Sequence, residues 1–313
     1  MQKFKYIRHK ESERLIDFLV QRFTYRQREG WIQKISSGAI KVNGEQVDPD
    51  WILVNRDIVS YIRPRSEEPK IDTRYNILYV DDLIVVVEKN GNIPISESGK
   101  YYQNTLLNIL KEGEGFPELY AVHRLDKETS GVLLIARTKE VATQLGKQFF
   151  QRIPEKEYHA ILRGEFREPE ILTEAPIKKV KKDGNRVGIR QEVTPEGKPS
   201  KTLFIAKRVQ QGLTLAKVKL FTGRTHQIRC HAEYAGFPIL GDKLYGQTDE
   251  TFVQIMKGER EPVYEPYGRI ERQLLHASYL SFFHPKTGRK MRFHSDYRSE
   301  FLQYACLKNL VVE

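Results

Sequence analysis

The chain has 313 residues, with 52 Lys and Arg against 41 Asp and Glu and a formal net charge of +11. That length suits a main domain of roughly 240 residues with a small appendage, and the basic balance favours a polyanionic partner over an acidic one. No apolar stretch approaches the roughly 20 residues of a membrane helix, the start "MQKFKYIRHK" has no signal-peptide pattern, and Cys230 and Cys306 give no disulfide framework, so a reduced, cytoplasmic protein is expected.

Residues 1–65 carry 13 Lys/Arg and 8 Asp/Glu, nearly half the net charge in about a fifth of the chain, which marks a separate basic module. Within it "ERLIDFLVQRF" sets Leu15, Ile16, Leu19 and Phe23 on one helical stripe, and "GWIQKISSG" predicts a second short helix stopped by Gly38. "AIKVNGEQV" reads as a hairpin about Asn43-Gly44, with "WILVNRDIVSYI" following as further strand. Arg14, Arg22, Arg26, Arg28 and Lys34 edge this module, either as an RNA-binding face or as an ordinary solvated helical surface. "RPRSEEPKID", Arg63 to Asp72, suits a linker, which we place at 66–72.

A new fold is expected over 73–313. "NILYVDDLIVVVEKNG" supplies two strands around Asp81-Asp82, and "TLLNILKE" a helix with Leu106, Leu107 and Leu110 inward. "TKEVATQLGKQFFQR" predicts a helix capped by Thr138, with Val141, Leu145 and Phe149 facing the core. "KEYHAILRG" reads as strand, and "LAKVKLF" alternates Ala216, Val218 and Leu220 against Lys217 and Lys219. "RTHQIRCHAEYAG" reads as a helix closed by Gly236. Antiparallel-looking strands with interspersed helices predict an α+β fold rather than a doubly wound one. No repeat or Gly-rich phosphate loop occurs.

"AVHRLDKETSGVLLIAR", Ala121 to Arg137, sets Asp126 between Arg124 and Lys127 just before an apolar run. Asp126 is a turn residue bonded near Thr129 and Ser130, an ion-pair strut, or a catalytic group. A catalytic carboxylate has to be ionised, held in one rotamer and shielded from bulk water. A guanidinium supplies the first two, and Arg229 in "GRTHQIR" is the candidate partner. His226, Cys230 and His231 invite a metal reading, but a zinc site needs three or four ligands at suitable spacing, so no metal is expected and Cys230 reads as an inert buried thiol. "KKVKKDGNRVGIR", Lys178 to Arg190, is a cationic hairpin about Asp183-Gly184 that either tracks phosphates or is a solvated loop. Tyr158 in "KEYHA" shares a strand face with Lys156; it stacks on a base and takes part in proton transfer, or it fills the core. A glycoside hydrolase would use paired carboxylates, and only Glu128 stands near Asp126.

Taken together, "HRLDKETSG", "KEYHA", "GKPSKT" (within 197–202), "LFTGRTHQIRCHAEYAGFPILGDKLYG" and "LLHA" (Leu274 to Ala277) occur in the order in which the RluA family of RNA pseudouridine synthases carries its motifs. The chain resembles that family over about residues 73–300. The resemblance implies a pseudouridine synthase core, a mixed, largely antiparallel sheet with flanking helices, and an isomerase of the intramolecular-transferase class that converts uridine to pseudouridine. It implies that Asp126 is the catalytic aspartate, Tyr158 the tyrosine that packs on the target base, and Arg229 the arginine paired with the aspartate. Arg124 is then the residue that replaces the flipped nucleotide, with His123, Thr129, Gly223, Arg224, Thr225, His226 and Gln227 around the substrate. No redox or metal cofactor is implied. "ERLIDFLVQRF", "ISSGAIKVNGEQV" and "VNRDIV" are similar to the ribosomal-protein S-four type of RNA-binding domain, from which "YRQREGW" and "NRD" depart. "EKNGNIPISESGKYYQNTLL" lacks the Lys-Pro of most members and resembles a branch with eukaryotic-type tRNA-modifying enzymes, with Ser96 and Glu97 in place of a His-Pro pair. Large-subunit rRNA and tRNA both stand as expected partners of a monomer. The alternative is a catalytically silent RNA-binding protein on the same scaffold.

Overall fold

A computed structural model describes residues 2–6, 12–23, 26–61, 68–180 and 187–312. The expected turn at Asp183-Gly184 and the first part of the expected linker lie outside the described residues. The chain forms two compact units, Met1–Ile71 with Ser96–Asn108, and Asp72–Ile95 with Ile109–Glu313.

The first unit contains β1 (Gln2–Lys5), β2 (Glu13–Arg14), α1 (Leu15–Arg22), α2 (Arg28–Ser36), β3 (Ile40–Val42), β4 (Ile52–Leu53) and β5 (Ile58–Tyr61). β5 lies between β1 and β3 in an antiparallel sheet, and β2 pairs with β4. The stripe Leu15, Ile16 and Leu19 packs with Trp31 and Ile35 of α2 and with Ile40, Val59 and Tyr61 of the sheet, so an amphipathic helix pair is stabilised by burial rather than by helix propensity. Asn43 and Gly44 both take positive φ, 52° and 91°, as an Asn-Gly turn requires. The strand after the turn shrinks to one bridge, Val42 to Glu45, and β3 instead zips to β5. The single strand expected over "WILVNRDIVSYI" is interrupted at Arg56 (φ 80°), where the Asp57 carboxylate accepts the Val54 N–H at 2.8 Å and makes a turn. The expected linker is also more structural than its composition suggests. Glu68 is buried and accepts the backbone N–H groups of Tyr102, Gln103 and Asn104 at 3.0, 2.9 and 2.8 Å, which joins Ser96–Asn108 to this unit.

The remaining elements are β6 (Tyr75–Val80), β7 (Ile84–Lys89), α3 (Leu106–Glu114), β8 (Tyr120–Ala121), β9 (Ser130–Ala136), α4 (Lys139–Phe150), β10 (Glu155–Arg163), β11 (Glu170–Glu174), β12 (Ile177–Lys179), β13 (Gln191–Val193), β14 (Lys201–Gln210) and β15 (Leu213–Leu220). They are followed by α5 (Gln227–Tyr234), α6 (Asp249–Lys257), β16 (Val263–Tyr264), β17 (Gly268–Arg269), β18 (Leu275–Phe283), β19 (Lys290–His294), α7 (Arg298–Phe301) and α8 (Lys308–Val311). One mixed sheet organises the second unit, in the order β11-β14-β15-β10-β18-β9-β7-β6, with β19 on β18 and β8 on β9. Thr138 caps α4 by accepting the Val141 N–H at 3.3 Å. α4 buries Val141 and Leu145 against Ile84, Val86, Val132 and Leu134, while Phe301, Leu310 and Val311 near the C-terminus join Ile161, Leu213 and Leu215 in another cluster.

Among the described residues β9 and β18 form the only parallel pairing, with Ser130 opposite His276 and Gly131 opposite Ala277. Gly131 has φ 107°, and a Cβ there would collide with the Ala277 carbonyl. The glycine that ends "HRLDKETSG" therefore permits the close strand crossing directly behind the Asp126 loop. No helix among the described residues is long and apolar enough to cross a membrane.

Candidate active site

Three connections of the second unit converge on one cleft of about 860 Å³. The β8–β9 loop contributes Val122, His123, Arg124 and Asp126; the end of α4 and the turn after it contribute Phe149, Phe150, Arg152 and Pro154; the β15–α5 loop contributes Thr222 to His226. Lys156 and Tyr158 enter from β10, and Lys219 from β15. The pairing of β10 with β18 shifts register between Glu157 and Tyr158, a bulge beside the cleft of the kind that re-aims a side chain. His226 has φ 55° and α5 starts only at Gln227, so the helix expected to begin within "RTHQIR" starts later and leaves Arg224–His226 as a cleft-lining loop.

Asp126 sits at the base of this cleft, its side chain 17% exposed, with Oδ2 accepting from Arg229 Nη1 at 2.8 Å. Arg229 also donates Nε and Nη2 to Asp242 at 2.6 and 2.9 Å, and its guanidinium lies 4.9 Å from the Tyr245 ring centroid. Asp242 is fully buried and accepts the N–H groups of Leu244 and Tyr245 at 2.9 and 3.0 Å. Burial pushes the Asp126 carboxyl upward, but the adjoining guanidinium outweighs it and holds the group at about 2. His226 Nε2 stands 3.9 Å away, yet burial keeps that imidazole at about 4, so at neutral pH Arg229 rather than His226 keeps Asp126 charged. Two carboxylates share one guanidinium, and only Asp126 opens toward the cleft. The uncompensated negative charge therefore faces the space a substrate would fill.

Tyr158 is 7% exposed, and burial together with the Asp126 charge pushes its phenol upward, so it stays neutral. His123 stacks on Phe149 at 4.7 Å, its Nε2 accepts the Leu134 N–H at 3.0 Å, and burial holds it at about 3. It is an uncharged wall. Arg124, Arg152, Lys156, Lys219 and Arg224 supply the cations of the lining.

Residues 83–234 match the family model described as RNA pseudouridylate synthase. Over 295 residues, 90% of this chain and 87% of the other, the sequence is 32% identical to a Haemophilus ducreyi protein named ribosomal large subunit pseudouridine synthase C. The chain belongs to the RNA pseudouridylate synthase family, in its RluA branch. It is also 31% identical over 238 residues to a Saccharomyces cerevisiae protein named tRNA pseudouridine(32) synthase, mitochondrial, of which it spans about half (51%), using 76% of its own length. The solved structure of human RNA pseudouridylate synthase domain containing 4 aligns over 75% of this chain and 92% of that one, with a TM-score of 0.57 and 25% identity. The α+β sheet is thus the family's fold, and the reaction class is that of an isomerase acting on uridine in RNA.

Of the synthase residues expected at the substrate, Arg124, His123, Gly223, Arg224, Thr225 and His226 line the cleft with Asp126 and Tyr158. Thr129 and Gln227 do not, because both are buried behind it. Thr129 accepts from Gln273 Nε2 at 2.8 Å, while Gln227 accepts from the Thr222 hydroxyl and the Arg224 N–H and donates to Thr202, bracing the loop. Glu128 also turns from the cleft, pairing with Lys243 at 2.5 Å, so it is no second acid beside Asp126. His231 uses both ring nitrogens on Thr202 and the Ala175 carbonyl, and burial pushes the Cys230 thiol up to about 12. Among the described residues no group of His, Cys, Asp and Glu is arranged to hold a metal ion.

In the first unit Arg14 and Arg28 both pair with Asp17, at 2.7 and 2.8 Å, so part of the expected basic edge is already answered locally. Arg22 lies over Phe18 and Phe23 and Arg26 over Trp31, and Lys34 is in the last turn of α2.

Sequence reasoning missed Asp242, Tyr245, Gln273 and Lys89. Asp242 and Tyr245 stand in "GDKLYG" and Gln273 just precedes "LLHA", so the signal was an acid and an amide inside motifs valued for other residues. Lys89 is buried and donates to the Asn90 and Lys127 carbonyls at 2.9 and 3.1 Å, tying β7 to the Asp126 loop, and burial lowers it to about 7.

Proposed function

We propose that this isomerase converts specific uridines of structured RNA to pseudouridine with Asp126 as its catalytic carboxylate. The observation that carries the reading is the ionised Asp126, fixed by Arg229 at 2.8 Å, at the base of a cation-lined cleft beside Tyr158. The target nucleotide leaves its stack and its uracil packs on Tyr158, while Arg124 takes the vacated place. Asp126 either attacks the anomeric carbon or takes the 2′ hydrogen. The N1–C1′ bond breaks, the uracil turns, and C5 bonds to C1′ as the Asp126–C1′ bond breaks or as the 2′ proton returns to C2′; the C5 proton passes to solvent and N1 takes one up, so the product has the composition of the substrate. Burial and the positioning by Arg229 favour a carboxylate that needs no further activation.

Large-subunit rRNA and tRNA are the substrate classes the reading admits, with the protein acting as a cytoplasmic monomer that uses no metal. Residues 1–65 serve as an S-four-type RNA-binding domain whose Arg14, Arg22, Arg26, Arg28 and Lys34 meet phosphates, Arg14 and Arg28 by exchanging Asp17 for them, and the synthase domain is 73–313 apart from Ser96–Asn108, which belongs to the first compact unit.

The test is tritium release from transcripts labelled at carbon 5 of uridine, comparing wild type with Asp126→Asn on rRNA and tRNA. Release by wild type alone supports the assignment, and the responsive transcript names the substrate. Release by both proteins removes Asp126 from the chemistry; release by neither, with RNA still bound, favours a silent RNA-binding protein.

A further inference from the structure

Two aromatic rings at the cleft are exposed to water. Phe150, the last residue of α4, is 89% exposed, and Phe221, just beyond β15, is 46% exposed; both line the cleft that holds Asp126. Packing does not account for Phe150. The inward stripe of α4 is Val141, Leu145 and Phe149, and one further residue turns the side chain by about 100° around the helix, away from the core. Its position is nevertheless fixed. Gln148 donates to the Phe283 carbonyl at 2.7 Å and accepts the Phe283 N–H at 2.9 Å, anchoring the end of α4 to β18, and the chain then reverses through Arg152 at φ 60°.

The surroundings of the two rings hold more cations than acids, with Glu155 and Glu157 beside Lys156 in the lining and Lys201 paired with Glu174. Lys201 Nζ lies 5.4 Å from the Phe221 ring centroid, and Arg152 and Lys156 follow Phe150 into the same cleft. Exposed rings alternating with cations form the surface on which unpaired bases stack while their phosphates are neutralised. A protein partner or a lipid would not call for that alternation around a cleft whose base is a carboxylate.

We infer that Phe150 is a stacking platform for an unpaired nucleotide adjacent to the target uridine, with Phe221 as a second platform on the same cleft. The inference rests on the isomerase reading and narrows its substrate: the target lies in a loop or bulge whose neighbouring base is itself unstacked, not within continuous duplex. Selection then operates on the conformation of the nucleotides beside the uridine as well as on the uridine.

The test uses the full chain carrying Asp126→Asn, so that bound RNA is not turned over, and stem-loops from tRNA and large-subunit rRNA with 2-aminopurine beside a loop uridine. Quenching of the probe is expected on binding, lost when Phe150→Ala is added and kept with Phe150→Trp. In the otherwise wild-type chain, Phe150→Ala should raise KM for tritium release by about 5- to 100-fold while kcat changes less than about 3-fold, the range set by loss of one base–aromatic stack. An abasic residue at the probe position should remove the difference between the two proteins. Tritium release with no dependence on Phe150, or Phe150→Trp as impaired as Phe150→Ala, would overturn the platform and leave the isomerase reading standing. Phe150-dependent quenching without release from any transcript would overturn the isomerase reading instead, and absence of both overturns each.

Discussion

Arg229 in the second unit and Arg14 in the first are each gripped by two aspartates, and the two clamps do opposite things. Arg229 is 10% exposed, bidentate to the fully buried Asp242, and donates a further N–H to Asp126. Arg14 is 46% exposed and reaches Asp17 and Asp50 at 2.7 and 3.1 Å. Water screens the second clamp and leaves its partners free to exchange, so the pairs chiefly shape a charged surface. The first is largely shut off from water, so it holds Asp126 in position and ionised. Similar residue types therefore make a screened, exchangeable surface in one region and a fixed, ionised carboxylate in the other, and burial decides which.

The largest effect expected is at the open end of the buried clamp. Asp126→Asn should lower kcat by at least about 10³-fold while RNA Kd, from filter binding, stays within about 3-fold, because the proposed mechanism gives this carboxylate chemistry and no phosphate contact. Arg229→Met comes next. It leaves Asp242 and Asp126 without their cation, which should cost about 3–5 kcal/mol in urea unfolding. In the protein that survives, burial acts on Asp126 alone, so the acid limb of kcat/KM should move up by more than about one pH unit; an unmoved limb would mean that Arg229 does not set the charge of Asp126.

The wild-type clamp should also show in stability against pH. Asp126 titrates at about 2 in the folded chain, below the unfolded value of about 3.9, so its contribution is full above about pH 4 and disappears as pH falls toward 2. That share amounts to about 2 kcal/mol, and unfolding midpoints for Asp126→Asn should be flatter than wild type across that window. On the surface of the first unit the effects are smaller. Arg22→Ala, Arg26→Ala and Lys34→Ala combined should reduce the slope of log affinity against log salt by about 2–3. Arg14→Ala alone, whose charge already faces Asp17 and Asp50, should change that slope by less than about 1. A larger change from Arg14 than from the other three would reverse the comparison.

Elements governed by neighbours in the chain were legible in the sequence. The α1 stripe, the Thr138 cap, the strand carrying Tyr158 and the Asn43-Gly44 turn follow from periodicity and local hydrogen bonding. Expectations failed where a distant partner intervened. The strand after Asn43-Gly44 yields to pairing with β5, Glu68 finds three N–H groups more than thirty residues away, and Thr129 and Gln227 turn inward to Gln273 and Thr202.

By itself, the sequence determined the family, the basic first module, and the candidates Asp126, Tyr158 and Arg229, because motif order and residue type are properties of the chain. Only the tertiary structure decided that Asp242 completes the clamp, that Lys89 supports the loop from behind, and that Phe150 stands in water at the cleft. Those assignments depend on burial and on partners brought together by the sheet, and a carboxylate, an ammonium or a ring acquires its chemical character from how much water and which charges remain beside it.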